Sequence, residues 1–195
     1  MLTPIILFVI LMVLLYIPPV QNLLRREVTA YASKATGMQI QVERIDLRFP
    51  LNLLVRGVEV IQQPDTLLSL ESLNVRVQAW PLLKGKVEVD EVTLSQVAVN
   101  SANVIEGMQI KGVLGRFFLQ SHGVDLSNET AVVNRTELSD THIQLLMTDT
   151  TTTPKDTTAS APVNWKVNLH QLKLKNVSFG MELPADSMKM AAYIG

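Results

Sequence analysis

Cysteine is absent from the 195 residues, which excludes disulfides, thiol chemistry and thiolate-ligated metals together. Aromatic side chains are scarce at five Phe, two Trp and three Tyr, too few for a run of base-stacking platforms. The three histidines, His122, His142 and His170, stand far apart and lack metal-ligand spacing. Charge of either sign is in no excess, since 17 basic and 18 acidic residues are intermixed for a net charge of −1. Without a basic stripe, no nucleic-acid partner is expected. No GxSxG, HExxH, Walker A or GxGxxG motif occurs. The adjacent carboxylates Asp90 and Glu91 would point to opposite faces of a strand. The sequence therefore leads us to expect no catalytic residue, no metal and no cofactor.

What is present is apolar. Hydrophobic residues make up 47% of the chain, partly concentrated at the N-terminus and otherwise dispersed as single Val, Leu and Ile residues. Ile5 to Ile17 reads IILFVILMVLLYI, thirteen uninterrupted apolar residues between Pro4 and Pro18-Pro19. As helix such a run rises only about 20 Å, short of the ~30 Å hydrocarbon core. A secretory signal core is the rival reading, but no small-x-small cleavage motif follows. Residues 1–20 are read as a membrane anchor, a transmembrane helix whose natural start lies upstream of Met1. No charge precedes the run, so flanking charge does not orient it.

Residues 21–37 read as a short amphipathic helix. Val20, Leu23, Leu24, Val28, Tyr31 and Ala35 recur at three- and four-residue steps. Gly37 is a natural residue to follow the last turn, in which Lys34 sits. The helix is expected either to lie at the membrane surface or to cap the end of a sheet.

From Met38 the periodicity changes. Apolar residues recur at offsets 0, 2, 5 and 7, as in Ile40, Val42, Ile45 and Leu47, in Leu53, Val55, Val58 and Val60, and in Leu68, Leu70, Leu73 and Val75. Val87, Val89, Val92, Leu94, Val97 and Val99 extend the rule by one more pair. Val167, Leu169, Leu172, Leu174, Val177 and Phe179 repeat the longer version. At about 100° per residue the four offsets point to roughly 0°, 200°, 140° and 340°, so no helical face collects them. In a strand, offsets 0 and 2 share one face while 5 and 7 share the other. One apolar face therefore requires an extra residue between the pairs, as a β-bulge or a bend provides. The intervening pairs are mostly polar, among them Glu43-Arg44, Arg56-Gly57, Ser95-Gln96 and Lys175-Asn176. The fold class expected is mostly β, a curved and bulged antiparallel sheet with one apolar face. A second sheet, a closed barrel or an open groove would each deal with that face, and the pattern does not choose among them.

Turns are expected at Gln62 to Asp65, at Trp80-Pro81 and at Lys84-Gly85. The stretch from Ser101 to Asn128 is glycine-rich and less regular, with Phe117-Phe118-Leu119 suited to a strand buried on both sides. Ala131 to Met147 alternates loosely. Residues 149–162 hold seven Thr or Ser in fourteen positions and read as a flexible loop. The organisation expected is a β-domain over 38–148, that loop, and continuing strands over 163–195 that break off as the front portion of a longer chain would.

In order along the chain stand the anchor IILFVILMVLLYI, the helix ending YASKATG, then MQIQVERIDLRFPLNLLVRGVEV and LLSLESLNVRVQAWPLLKGKVEVDEVTLSQVAV. This succession resembles the N-terminal part of the AsmA/TamB-type family of bacterial envelope proteins. Pro50, Gly57, Pro81, Leu82, Leu83, Gly85 and Lys86 fall where the family pattern wants them, and the resemblance covers about half the chain. It implies a single-pass inner-membrane protein with its bulk in the periplasm, related to chorein-like bridge proteins. It implies an open β-groove carrying phospholipid acyl chains between the inner and outer membranes, and some members are linked to outer-membrane protein assembly. The groove would be lined by the Val, Leu, Ile and Phe residues of the repeated pattern. The alternative expectation is a membrane-tethered structural or adhesive β-sandwich with a filled core. This chain is far shorter than TamB-like members and has no basic residue before its anchor.

Overall fold

The computed structural model describes residues 16–48, 51–82, 88–102, 104–105, 107–125, 129–147, 165–183 and 188–195. The chain is mostly β. Helix α1 spans Pro18–Thr36 and is followed by β1 (Gln39–Arg48), β2 (Asn52–Gln62) and β3 (Asp65–Val77). A single helical turn, α2 (Ala79–Leu82), precedes β4 (Val89–Asn100), β5 (Met108–Asp125) and β6 (Thr130–Met147). Then come β7 (Lys166–Leu169), β8 (Leu172–Leu183) and β9 (Met188–Ile194). The strands form one open sheet in the order β1-β2-β3-β4-β5-β6-β8-β9, with β7 also on β6.

The expected antiparallel pairing holds from β1 to β6 and between β8 and β9, but β7 and β8 run parallel to β6. After Met147 the chain re-enters the sheet beside Thr130, at the opposite end of β6, so its next strands must follow β6 in the same direction. His170 and Gln171 interrupt what is otherwise one long strand along that edge. Both residues nevertheless stay tied to β6, where the Val133 carbonyl accepts the His170 N–H at 2.9 Å and the Gln171 carbonyl accepts the Thr136 N–H at 2.8 Å.

The extra residue demanded by the apolar pattern has a collective form. Between Val42↔Val58 and Arg44↔Arg56 the ladder skips the facing pair Glu43 and Gly57. The same skip recurs at Glu71, Gln96, Gly115, Asp140 and Asn176, strand by strand, with no change of register. Gly57, Gln96, Asp140 and Asn176 on this line all have φ between 50° and 59°. A left-handed residue interrupts the alternation, so two successive residues occupy the polar face and the apolar positions regain theirs. The expected bulge is thus a crease crossing seven strands, each carrying the extra residue opposite its neighbour's. True register shifts occur elsewhere, at Val60/Ile61, Arg76/Val77 and near Ser121. Strands approach closely along the crease. A Cβ on Gly57 would lie 2.7 Å from that of Glu43, and one on Gly115 would lie 2.7 Å from that of Asp140.

Helix α1 lies against β1. Pro18 and Pro19, expected to stop the anchor, occupy its first turn, where the missing N–H groups cost nothing. Gly37 ends it in the left-handed conformation, with its N–H bonded to Ser33 O at 3.0 Å. The apolar stripe read from the sequence is not the face that packs. Leu23, Val28 and Tyr31 are exposed, Tyr31 at 77%. The helix instead turns Gln21, Arg25 and Ser33 to the free edge of β1. Gln21 Nε2 donates to Leu47 O at 3.2 Å, Arg25 Nη1 to Glu43 O at 2.8 Å, and Ile40 N–H to Ser33 Oγ at 3.0 Å. An edge strand presents unpaired backbone groups, and satisfying them outweighs burying this stripe.

Of the anchor run only Tyr16 and Ile17 are described, so the transmembrane helix expected there lies outside the described residues. Among those described, no helix is long and apolar enough to cross a membrane. Val87, the Lys84-Gly85 turn and the 149–162 loop also lie outside them. The glycine-rich stretch expected to be irregular contains the whole of the 18-residue β5. Phe117, Phe118 and Leu119, expected to be buried on both sides, are each half-buried, because no described element covers β5. Trp80-Pro81, expected as a hairpin turn, belongs to α2, with Trp80 71% exposed.

Candidate functional site

The register aligns the repeated apolar residues into rows that cross the sheet. One row runs Ile45, Val55, Leu73, Leu94, Phe117, Leu138 and Leu174. The next, beyond the crease, runs Val42, Val58, Leu70, Val97, Leu114, Thr141, Val177 and Ile194. Leu47, Leu53, Val75, Val92, Leu119, Thr136 and Leu172 form a third. Ile40, Val60, Leu68, Val99, Gly112, Ile143, Phe179 and Ala192 form the fourth. No charged residue enters any of them. Strands lie ~4.8 Å apart, so rows of seven strands extend roughly 30 Å. Thr141 is 1% exposed, and its hydroxyl is satisfied within its own strand by Ser139 O at 3.2 Å.

Nothing among the described residues covers these rows. Apart from marginal contacts, elements touch only their sheet neighbours, and α1 touches only β1. Most of the row residues are half-buried; Ile45 and Leu70 are buried, whereas Leu172 is 54% and Phe179 40% exposed. A sandwich core needs a second sheet facing the first, and the described residues contain one sheet.

Val89 pairs with Val77 and extends the third row's side of the sheet, while Val167 and Leu169 lie on β7 beside the buried Ala131 and Val133. Both β7 residues are about half exposed, at 57% and 47%. Strands β5 and β6 supply members that the periodicity did not reveal, namely Leu114, Phe117, Leu119, Leu138 and Ile143. They obey the same 0, 2, 5, 7 rule, but Gly112 holds the first slot of β5, while Thr136 and Thr141 hold two slots of β6. Farther along, Ile110, Leu145, Met181 and Met190 align as another apolar row.

The opposite face is polar and paired by charge. Arg44 binds Asp46 at 2.6 Å and Arg76 binds Glu91 at 2.9 Å. Asp90 instead accepts from the Gln78 amide, so Asp90 and Glu91 serve different partners. Glu137 accepts from Arg135 Nε at 2.9 Å and lies 3.7 Å from Lys173. The Arg135 hydrogen bond, aided by the charges of Arg135, Lys173 and Arg116, holds its carboxyl below the usual carboxylate range. On the crease, Asn176 Nδ2 donates to Asp140 Oδ1 at 2.9 Å. His142 is exposed and hydrogen-bonded to Ser178. Hollows of about 500 and 580 Å³ lie over this face. The described residues hold no cluster of three or more His, Asp or Glu able to bind a metal.

Comparison with protein families, with curated proteins and with solved structures found no match for this chain.

Proposed function

We propose that this chain is a membrane-anchored protein of the bacterial periplasm whose uncovered apolar face carries phospholipid acyl chains between the inner and outer membranes, or serves outer-membrane assembly. The observation that carries this reading is the set of four charge-free rows spanning seven strands, with no covering layer among the described residues. The order of anchor, helix and strand motifs shared with AsmA/TamB-type proteins supports it. The chemistry requires no catalytic group. An acyl chain lying along the rows exchanges one apolar surrounding for another, and each CH₂ kept from water is worth ~0.8 kcal/mol. Headgroups remain in solvent at the open rim. Passage along the rows requires that no buried charge interrupt them, because an unpaired charge against an acyl chain is strongly disfavoured.

Val97→Asp and Leu172→Asp each place a carboxylate on a row. Leu172 is already 54% exposed, so the second substitution is expected to leave the fold intact. Both variants should lose phospholipid that co-purifies with the wild-type chain, measured by mass spectrometry after mild extraction. Lipid retained at wild-type stoichiometry in folded variants rules the reading out.

A further inference from the structure

The polar face carries a hollow of about 500 Å³ spanning β5, β6, β8 and β9. Its floor lies where side chains are small, at the register partners Gly180 and Ala191. One wall is the ion pair of Lys189 and Glu182, with N–O separation 3.2 Å. The other is Tyr193, which is the register partner of Ser178 and so stands beside its hydrogen bond to His142. Gln144 is the β6 partner of Gly180, and Lys111 is the β5 partner of Gln144.

One feature distinguishes the hollow from an ordinary solvated face, and a second gives it a cation for an anionic head. Gly180 lacks a positive φ, and a Cβ there would meet nothing nearer than Gln144 Cγ at 3.9 Å. Neither backbone conformation nor close approach demands glycine, so the space above it is simply open. The charge balance is also unfinished. Glu182 is engaged by Lys189, whereas Lys111 has no carboxylate partner among the described residues.

We infer that this hollow binds a small amphiphilic anion, an unbranched apolar body ending in one carboxylate or phosphate. The head meets Lys111, where a charge-assisted contact replaces water. The body lies over Gly180 and Ala191 between the two walls. The volume falls in the range of small-molecule sites. The head group could belong to a free acid or to a lipid, and the site lies on the face opposite the apolar rows, so it does not depend on the function proposed for them.

The full-length protein would be titrated with decanoate by calorimetry, and separately sedimented with phosphatidylcholine vesicles with and without phosphatidylglycerol. Gly180→Leu fills the hollow and should abolish saturable decanoate binding. Lys111→Gln, on an exposed position, should weaken it roughly tenfold. Leu23→Ser, on the exposed flank of α1, should leave it unchanged. Binding confined to phosphatidylglycerol vesicles, and sensitive to Gly180→Leu and Lys111→Gln, assigns the head to a lipid. Binding lost in Leu172→Asp but indifferent to Gly180→Leu and Lys111→Gln overturns the inference and belongs to the apolar rows. Absence of any binding, or unchanged affinity in Lys111→Gln, overturns it as well, even where Gly180→Leu fails to fold.

Discussion

Single residues at the crease decide which face every later side chain takes. Gly57, Gln96, Asp140 and Asn176 adopt φ near +50° to +60° within strands, a conformation that strains most side chains by ~1–3 kcal/mol. Glycine, Asn and Asp are the types that tolerate it best, and three of these four positions carry them. At Gly57 the strain would be compounded by the 2.7 Å approach to Glu43 Cβ. Gly57→Ala should therefore destabilise the chain by about 1–3 kcal/mol in urea unfolding. Gly180→Ala, with open space and no positive φ, should change it by less than ~0.5 kcal/mol. Equal effects at the two sites would remove the crease from this role. The step of three between apolar pairs was its trace in the sequence, legible because a left-handed residue must shift the alternation. It was illegible where Gly112, Thr136 and Thr141 occupy apolar slots, since small or hydroxylated side chains can sit in such a row without announcing it. Thr141 manages this by bonding its hydroxyl to its own strand.

Among the elements, α1 shows why an apolar stripe alone does not identify the face that packs. Gln21, Arg25, Thr29 and Ser33 recur every four residues and are all partly buried, a polar stripe as regular as the apolar one beside it. Its meaning lay in β1, whose unpaired edge it meets, and no local pattern in the helix reveals a partner's free backbone groups. The parallel placement of β7 and β8 was hidden for a similar reason, since strand direction depends on where the chain re-enters the sheet. Replacing Gln21 and Arg25 together with Ala would leave two backbone carbonyls of β1 without these donors, at roughly 0.5–1.5 kcal/mol each. The exposed edge should also become a template for pairing with another chain. The double variant is expected to self-associate in sedimentation velocity runs at concentrations where the wild type does not. Leu23→Ser, on the exposed flank, should alter neither property; self-association in that variant instead would place the protective contact on the apolar stripe.

As a whole molecule the described sheet gains stability almost entirely between neighbours, since no element packs face to face with another across it. Such an arrangement is nearly one-dimensional, and each strand is supported only by its immediate neighbours in the sheet. Its apolar rows then remain partly hydrated unless a ligand covers them, which leaves a share of the usual burial free energy unrealised. Any occupant that binds only the folded sheet adds RT ln(1 + [L]/Kd), or ~2.7 kcal/mol at one hundred times Kd. For a chain of this size each kcal/mol moves the melting temperature by roughly 2–4 °C. Phospholipid at saturation should therefore raise Tm by about 5–10 °C relative to delipidated protein in differential scanning calorimetry, and Leu172→Asp should reduce that increment. A face already filled by protein would show no increment, because its apolar area is withdrawn from water before any lipid arrives. The size of the shift thus measures how much of the four rows stays open in solution, and a null result would speak for a covered core.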